Sequence, residues 1–188
     1  MDKDEYPWTY LTHPILQSRQ IIAANVLKWQ VSVIEIGGGA TPLFPYMWGD
    51  CEQFIEIDPI QIDTISSPIY HRIDRKLSLD VISGLLLNTE YAIDWGDLGL
   101  VALGLDILGD DECDAFVALA KRASKIVLEY ALDYDPAVGL KDRILAEVDY
   151  LSLNYMGLDY SRNADTIIKL QGDFQPRLNR EMAIIGGW

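Results

Sequence analysis

A run of three glycines directly after a short apolar segment constrains the fold of this chain more than any other feature. Residues 31–36 read VSVIEI, and Gly37, Gly38 and Gly39 follow them. A short β-branched run of this kind predicts a buried parallel strand, and the glycines predict a tight turn whose backbone a ligand can approach closely. Because ligands of doubly wound α/β sheets bind beyond the carboxyl ends of the strands, the turn marks the predicted site.

Strand and helix patterns alternate along most of the chain. The predicted strands are short apolar runs at residues 31–36, 53–57, 69–73, 98–105 and 125–131. The predicted helices cover residues 14–28 and 41–49 and three segments that begin at Ser78, Asp110 and Asp135. Their predicted apolar faces include Trp29, Leu79, Ile82, Leu86 and Leu151. Alternation of this kind predicts a doubly wound, mostly parallel sheet.

The last part of the chain breaks this alternation. Residues 165–171 and 180–186 are two strand-like segments without a helix between them, which predicts an antiparallel hairpin. We therefore expect an α/β fold in which a doubly wound, mostly parallel sheet ends in a C-terminal antiparallel hairpin. The 188 residues suffice for one well-buried core, so we expect a single domain over residues 1–188, with a cap and the first helix in residues 1–30.

Composition narrows the classes of partner. The chain carries 29 acidic and 15 basic side chains, a formal charge of −14, which opposes binding to a phosphate backbone and disfavours nucleic acid as a partner. The longest apolar run, residues 98–108, is about half the length of a membrane helix, and the first residues do not read as a secretory signal. We expect no membrane partner and a cytoplasmic location. The two cysteines and two histidines lack metal-ligand spacing, so no metal site is predicted.

An acidic residue, Asp58, ends the second predicted strand about 20 residues after the first glycine, which is the usual spacing of a carboxylate that binds ribose hydroxyls. Asp58 could instead cap a helix. Nicotinamide dinucleotides and adenosylmethionine both carry this ribose. Two residues favour adenosylmethionine: Pro42 replaces the third glycine of the dinucleotide fingerprint, and Glu35 would repel a pyrophosphate but attract an ammonium and a sulfonium.

These residues resemble the first motif of the class I S-adenosylmethionine-dependent methyltransferases, which runs hydrophobic, hydrophobic, acidic, hydrophobic, Gly-x-Gly-x-Gly. Residues 33–39 fit this motif, whereas Thr41 stands where the family has its third glycine. FIEIDP is similar to the second motif, which implies that Asp58 is the ribose ligand. Asp74 stands where the family has an acidic residue that contacts the adenine amino group. GDLGLVALGLDIL resembles the fourth-strand segment, which ends beneath the methyl group and the acceptor.

The resemblance implies a Rossmann-like methyltransferase fold with S-adenosylmethionine as cofactor. The implied cofactor-binding residues are Glu35, Gly37, Gly38, Gly39, Thr41, Asp58, Asp74 and Gly104. His13, before the first helix, and Asp106, at the end of the fourth strand, are candidate bases for an acceptor that must lose a proton. Each could instead be a helix cap, or a surface or loop residue. Tyr10, in an aromatic lead-in that is either a lid or a packing clamp, and Tyr130, beyond the fifth strand, are candidate acceptor contacts.

The sequence therefore predicts an enzyme that transfers a methyl group from S-adenosylmethionine to a small or medium-sized acceptor. Three alternatives stay open: a noncatalytic or regulatory domain that binds the same cofactor, an aminocarboxypropyl transferase, and an NAD-dependent oxidoreductase, which Glu35 and Pro42 disfavour. The acceptor pocket is expected from the N-terminal element, from the loops after strands four and five, or from a second subunit. A homodimer is therefore also left open.

Overall fold

A computed structural model describes residues 14–39, 41–47, 51–59, 65–160 and 178–186. The helices are α1 (Pro14–Leu27), α2 (Leu79–Leu87), α3 (Asp110–Ala120) and α4 (Asp135–Glu147). The strands are β1 (Ser32–Ile36), β2 (Gln53–Ile57), β3 (Tyr70–Ile73), β4 (Leu98–Leu103), β5 (Lys125–Ala131), β6 (Leu153–Asp159) and β7 (Asn179–Ile185). Short 3₁₀ turns occur at Phe44–Tyr46, Thr89–Tyr91 and Leu105–Ile107.

The seven strands form one sheet in the order β3-β2-β1-β4-β5-β7-β6. Strands β1 to β5 are parallel, and β7 lies antiparallel between β5 and β6. This confirms the predicted doubly wound, mostly parallel sheet with a C-terminal antiparallel hairpin. Strand order reverses between β1 and β4, so a crevice at their carboxyl ends is the expected ligand position. In the part of the chain that the structure covers, no helix is long and apolar enough to cross a membrane.

Each face of the sheet packs against its own helices. Helices α2, α3 and α4 bury apolar residues against Ile34, Ile55 and Leu100 on one face. Helix α1 packs on the other face, against Val33 and Val101. Because successive residues of a strand point to opposite faces, the acidic residue between Ile34 and Ile36 points to the α1 face. The chemistry described below lies on that face, at the carboxyl ends of the strands.

The structure places the first strand of the hairpin earlier than predicted. Strand β6 is Leu153–Asp159, and its partner β7 begins at Asn179. Residues 165–171, the predicted strand, lie outside the described part of the chain. Helix α4 ends at Glu147, and Leu151, which was expected on its buried face, is fully exposed.

Three other local predictions are wrong. Trp29 lies beyond the end of α1 and is 63% exposed. Of the three residues expected on the apolar face of α2, Ile82 is buried, whereas Leu79 and Leu86 are exposed; the other buried residues of this helix are Val81 and Leu85. Nine mostly apolar residues offer several possible buried faces, so periodicity alone identified Ile82 but not the rest of the face. Within the predicted helix at 41–49, the described residues form only the 3₁₀ turn Phe44–Tyr46, since proline lacks the N–H that a longer helix needs.

Candidate functional site

The glycine turn after β1 is held against the end of β2. Gly37 and Gly39 have φ angles of 74° and 57°, in the left-handed region that glycine adopts without strain. The N–H of Gly37 donates to the carbonyl of Ile57 at 3.0 Å, and the N–H of Gly39 donates to Oδ2 of Asp58 at 3.0 Å. Asp58 therefore fixes the turn that the sequence marked as the site.

Gly38 is needed for a different reason, because two carboxyl groups pack against it. A Cβ at this position would lie 2.9 Å from Cδ and Oε2 of Glu35 and 2.9 Å from Oε1 of Glu56. Glu35 and Glu56 are register partners on β1 and β2, so both side chains point to the α1 face. Sequence reasoning missed Glu56, although an acidic residue inside a buried apolar strand was a signal that could have identified it.

Glu35 is buried beneath the turn. Its Oε2 accepts a hydrogen bond from the N–H of Leu43 at 2.8 Å. Burial, followed by the charge of Glu56, raises the pKa of Glu35 well above its ordinary value, while the Leu43 hydrogen bond and the Arg19 guanidinium act in the opposite direction. A cation placed near this buried carboxyl group would stabilise its ionised form.

Arg72 of β3 links three acidic residues at the same edge of the sheet. Its guanidinium pairs with Glu56, lies 3.8 Å from Oδ1 of Asp58, and donates from Nε to Oδ1 of Asp74 at 2.7 Å. The hydroxyl of Tyr70 also donates to Glu56. Burial raises the pKa of Glu56 although Tyr70 and Arg72 lower it. The two predicted nucleoside ligands, Asp58 and Asp74, thus belong to one network.

A second buried network begins at the end of β4. Gly104 has a φ of 113°, and the place where its Cβ would lie has no described atom within 4 Å. Its N–H donates to the carbonyl of Glu129 at 3.1 Å. Asp106 follows and accepts two hydrogen bonds from Arg180, at 2.5 and 3.3 Å. At the end of β4 there is therefore free space beside Gly104, whereas the side chain of Asp106 is held in place by Arg180.

Glu129 of β5 is the fully buried centre of this second network. Arg180 of β7 donates to both of its oxygens, in one case from Nη2 at 3.0 Å, and Arg19 of α1 donates from Nη1 at 3.3 Å. None of these three residues was predicted. The signal was a charged residue inside the apolar run KIVLEYA, because a buried carboxylate requires a cation from elsewhere in the fold.

Most predicted cofactor residues lie together at the carboxyl ends of β1 to β4. Thr41 donates its N–H to the carbonyl of Gly38 at 3.2 Å. In the described chain only Ala92 combines a side chain with positive φ, so threonine stands without strain where the family has glycine.

The placement of Tyr130 beyond strand five is wrong. It lies within β5, packs in the core on the opposite face, and donates to Glu181. His13 and Tyr10 lie outside the described residues.

Neither a protein-family model nor a curated protein sequence matches this chain. Three similar solved structures cover nearly all of it. N-methyltransferase NodS from Bradyrhizobium japonicum WM9, in complex with S-adenosyl-L-homocysteine (SAH), has a TM-score of 0.54 and 10% identity, over 97% of this chain and 92% of its own. An O-methyltransferase from Bacillus cereus, in complex with SAH, has a TM-score of 0.53 and 10% identity, over 93% and 82%.

An rRNA methylase from Streptococcus thermophilus has a TM-score of 0.51 and 12% identity, over 94% of this chain and 98% of its own. By their names these proteins are an N-methyltransferase, an O-methyltransferase and an rRNA methylase. The TM-scores above 0.5 show a common fold, and at identities of this size they show the fold alone. The chain therefore has the Rossmann-like fold of the class I S-adenosylmethionine-dependent methyltransferases.

Proposed function

We propose that this chain is an S-adenosylmethionine-dependent methyltransferase. The observation that carries the proposal is the glycine turn packed on the buried carboxyl groups of Glu35 and Glu56, at the carboxyl edge of a sheet with this fold. Two of the similar proteins were crystallised with SAH, the demethylated form of this cofactor. The fold and the local chemistry therefore support the same ligand.

The charges at the turn favour a sulfonium over a pyrophosphate. The carboxyl groups of Glu35, Glu56 and Asp58 lie at the turn, and Arg72 pairs with Glu56 and lies 3.8 Å from Oδ1 of Asp58. A pyrophosphate would add negative charge to this group, whereas a sulfonium and an ammonium would offset it. Burial, followed by the charge of Glu56, raises the pKa of Glu35 at this turn. These observations support adenosylmethionine over NAD.

We assign the nucleoside to the end of the sheet formed by β1, β2 and β3. Asp58 and Glu56 are the proposed partners of the ribose hydroxyls, and Asp74 is the proposed partner of the adenine amino group. Gly37, Gly38, Gly39 and Thr41 provide backbone that a ligand can approach. In this assignment Arg72 holds the carboxylates of Glu56, Asp58 and Asp74 in place before the ligand binds.

Bound S-adenosylmethionine supplies an electrophilic methyl group with a good leaving group, so alignment of the acceptor is the main task left to the protein. Gly104 and Asp106 lie at the end of β4, where we place the acceptor. Asp106 already accepts two hydrogen bonds from Arg180. We therefore propose that Asp106, paired with Arg180, positions the acceptor. His13 stays the candidate for proton removal, and Tyr10 stays a candidate contact of the acceptor.

We propose a small or medium-sized acceptor, because a chain charge of −14 opposes a phosphate backbone. RNA is the second class to be tested, since one of the similar structures is an rRNA methylase. A screen of a metabolite extract with methyl-labelled cofactor checks turnover. The proposal expects transfer of the label together with SAH as by-product. Methylthioadenosine as by-product would instead indicate aminocarboxypropyl transfer, and binding without any product would indicate a noncatalytic domain.

Substitution of Asp58 tests the position of the ribose. Asp58→Asn keeps an oxygen for the N–H of Gly39 but removes the charge that ribose hydroxyls prefer as an acceptor. We expect the affinity for SAH, measured by calorimetry, to fall roughly tenfold or more. Asp149→Asn, an exposed aspartate outside the site, is the matched control. Unchanged affinity of the Asp58 variant would show that the ribose lies elsewhere.

A further inference from the structure

Strand β6 forms one edge of the sheet and pairs with a neighbour on one side, β7. Its bonds to β7 come from its even-numbered residues and continue at Tyr160, whose N–H donates to the carbonyl of Leu178 at 2.9 Å. The backbone groups of an antiparallel strand alternate between its two sides, so Leu153, Tyr155 and Gly157 point their N–H and C=O groups away from β7. No described residue bonds to these groups. One side of β6 can therefore pair with another strand.

The two edges of the sheet differ in how they are protected from such pairing. Proteins usually keep an edge strand short, or place charges or proline on it, because its unpaired backbone groups bind other strands. Strand β3, at the opposite edge, has four residues and includes Arg72. Strand β6 has seven residues, LNYMGLD, without lysine, arginine or proline and with one charge, at its last residue. Strand β6 therefore lacks the usual protection.

Exposed apolar side chains accompany this edge. Tyr155 is 49% exposed, and Tyr150 and Leu151, directly before β6, are 40% and fully exposed. The chain as a whole has a charge of −14, so two copies repel each other over most of their surfaces. An uncharged edge with exposed apolar residues is where two such acidic copies can meet with little repulsion. These features favour a second copy of this chain as the partner.

The sequence of β6 is also complementary to itself. When two copies pair antiparallel around a two-fold axis at Met156, Tyr155 of each copy lies opposite Gly157 of the other. Both residues direct their backbone groups outward, so each of the two pairs exchanges two hydrogen bonds, about four in all. They lie on the same face, and the position of a Cβ at Gly157 has no described atom within 4 Å. The ring of Tyr155 therefore has room to cover the glycine, a favourable cross-strand pair.

We propose that this chain forms a homodimer in which β6 pairs antiparallel with β6 of a second copy, with Met156 on the two-fold axis. The two seven-stranded sheets then form one continuous sheet. Strands β5 and β7 separate this edge from the proposed cofactor site at β1 to β4, so each copy keeps its own site. The dimer therefore forms with or without bound cofactor.

Sedimentation velocity of the full chain at increasing concentration measures the association. We expect twice the mass of one chain, and we expect Tyr155→Lys to raise the dissociation constant of the dimer roughly tenfold or more. The reason is that both copies lose the Tyr–Gly pair and carry a lysine beside the axis. Leu87→Lys, at an exposed position of α2, adds the same charge away from β6 and is the matched control. It should leave the dissociation constant unchanged, and circular dichroism checks that both variants keep the fold.

Three results of this experiment would overturn the proposal. The first is a monomer at every concentration. The second is a dimer that Tyr155→Lys leaves intact. The third is a dimer that Leu87→Lys disrupts, which would place the interface at α2 instead.

Amide hydrogen exchange of the unaltered chain gives a readout that needs no substitution. The N–H groups of Tyr155 and Gly157 bond only to the second copy, so they should exchange roughly tenfold or more faster after dilution to the monomer. The N–H groups of Asn154 and Met156 bond to β7 and should stay protected in both states, which makes them the internal control. Fast exchange at Tyr155 and Gly157 within the dimer would show that β6 is not the interface.

Cysteine cross-linking tests the register of the two strands. In the proposed register the two residues 156 face each other in a non-hydrogen-bonded pair, with Cα atoms about 4.5 Å apart, a distance that a disulfide spans. The two residues 155 lie diagonally, about 7–8 Å apart. We expect mild oxidation to cross-link Met156→Cys but neither Tyr155→Cys nor the unaltered chain, which retains Cys51 and Cys113. Cross-linking of Tyr155→Cys without cross-linking of Met156→Cys would contradict this register.

Discussion

At the scale of single residues, the absence of a side chain at Gly38 allows two carboxyl groups to pack under the turn. A methyl group there would meet Glu35 and Glu56 at 2.9 Å, closer than Cβ atoms approach other atoms. We expect Gly38→Ala to destabilise the fold by about 1–3 kcal/mol through overpacking and to weaken binding of SAH. Urea unfolding and calorimetry measure the two effects.

Gly84 provides the control for this substitution. It lies in α2, and the position of its Cβ has no described atom within 4 Å. Gly84→Ala should therefore stabilise the fold by about 0.5–1 kcal/mol through helix propensity and leave ligand binding unchanged. Equal destabilisation by the two substitutions would contradict the packing described for Gly38.

The raised pKa of Glu35 predicts a pH dependence of stability. Its carboxyl group keeps a proton in the folded state at pH values where the unfolded chain has lost it. Its contribution to stability is therefore full below the unfolded pKa and is lost as pH rises through the folded pKa. Glu35→Gln removes this loss, so the variant should gain stability relative to the unaltered chain as pH rises above the ordinary pKa of a glutamate. A stability difference that is independent of pH, measured by urea unfolding, would contradict this.

At the scale of elements, Arg180 joins the C-terminal hairpin to the parallel sheet. It pairs with Glu129 on β5 and with Asp106 after β4. Arg180→Gln leaves the buried Glu129 carboxylate with Arg19 as its remaining cation, so we expect a loss of about 3–5 kcal/mol in the free energy of unfolding. Arg143→Gln breaks exposed ion pairs with Asp114 and Glu147 and serves as the control, with no measurable loss. Similar losses in both variants would refute the structural role of Arg180.

Sequence patterns predict the elements best where one local rule applies. Strands β2 and β5 have the bounds that their apolar runs predict, and the turn after β1 is marked by its glycines. Strand β6 was placed too late because its partly exposed residues show no clean alternation of apolar and polar positions. Arg180 was missed for another reason: it reaches Glu129 across 51 positions of sequence, and no local pattern contains that contact.

At the scale of the whole molecule, the formal charge of −14 favours a small-molecule acceptor over RNA. We predict that labelled single-stranded RNA does not bind the chain at about 0.15 M salt, because phosphate contacts need cationic side chains that release counterions. Fluorescence anisotropy measures this directly. RNA binding that weakens steeply as salt increases would favour an RNA acceptor and contradict the proposed small acceptor.

Calorimetric titration of the full chain with SAH and, separately, with NAD tests the proposed cofactor most directly. Both ligands contain the adenosine that Asp58 and Asp74 are proposed to bind, but NAD carries a pyrophosphate where SAH carries a thioether and an amino acid. We predict that SAH binds and that NAD does not, because Glu35 and Glu56 lie directly beneath the turn. Binding of NAD without binding of SAH would contradict the assignment of this site to S-adenosylmethionine.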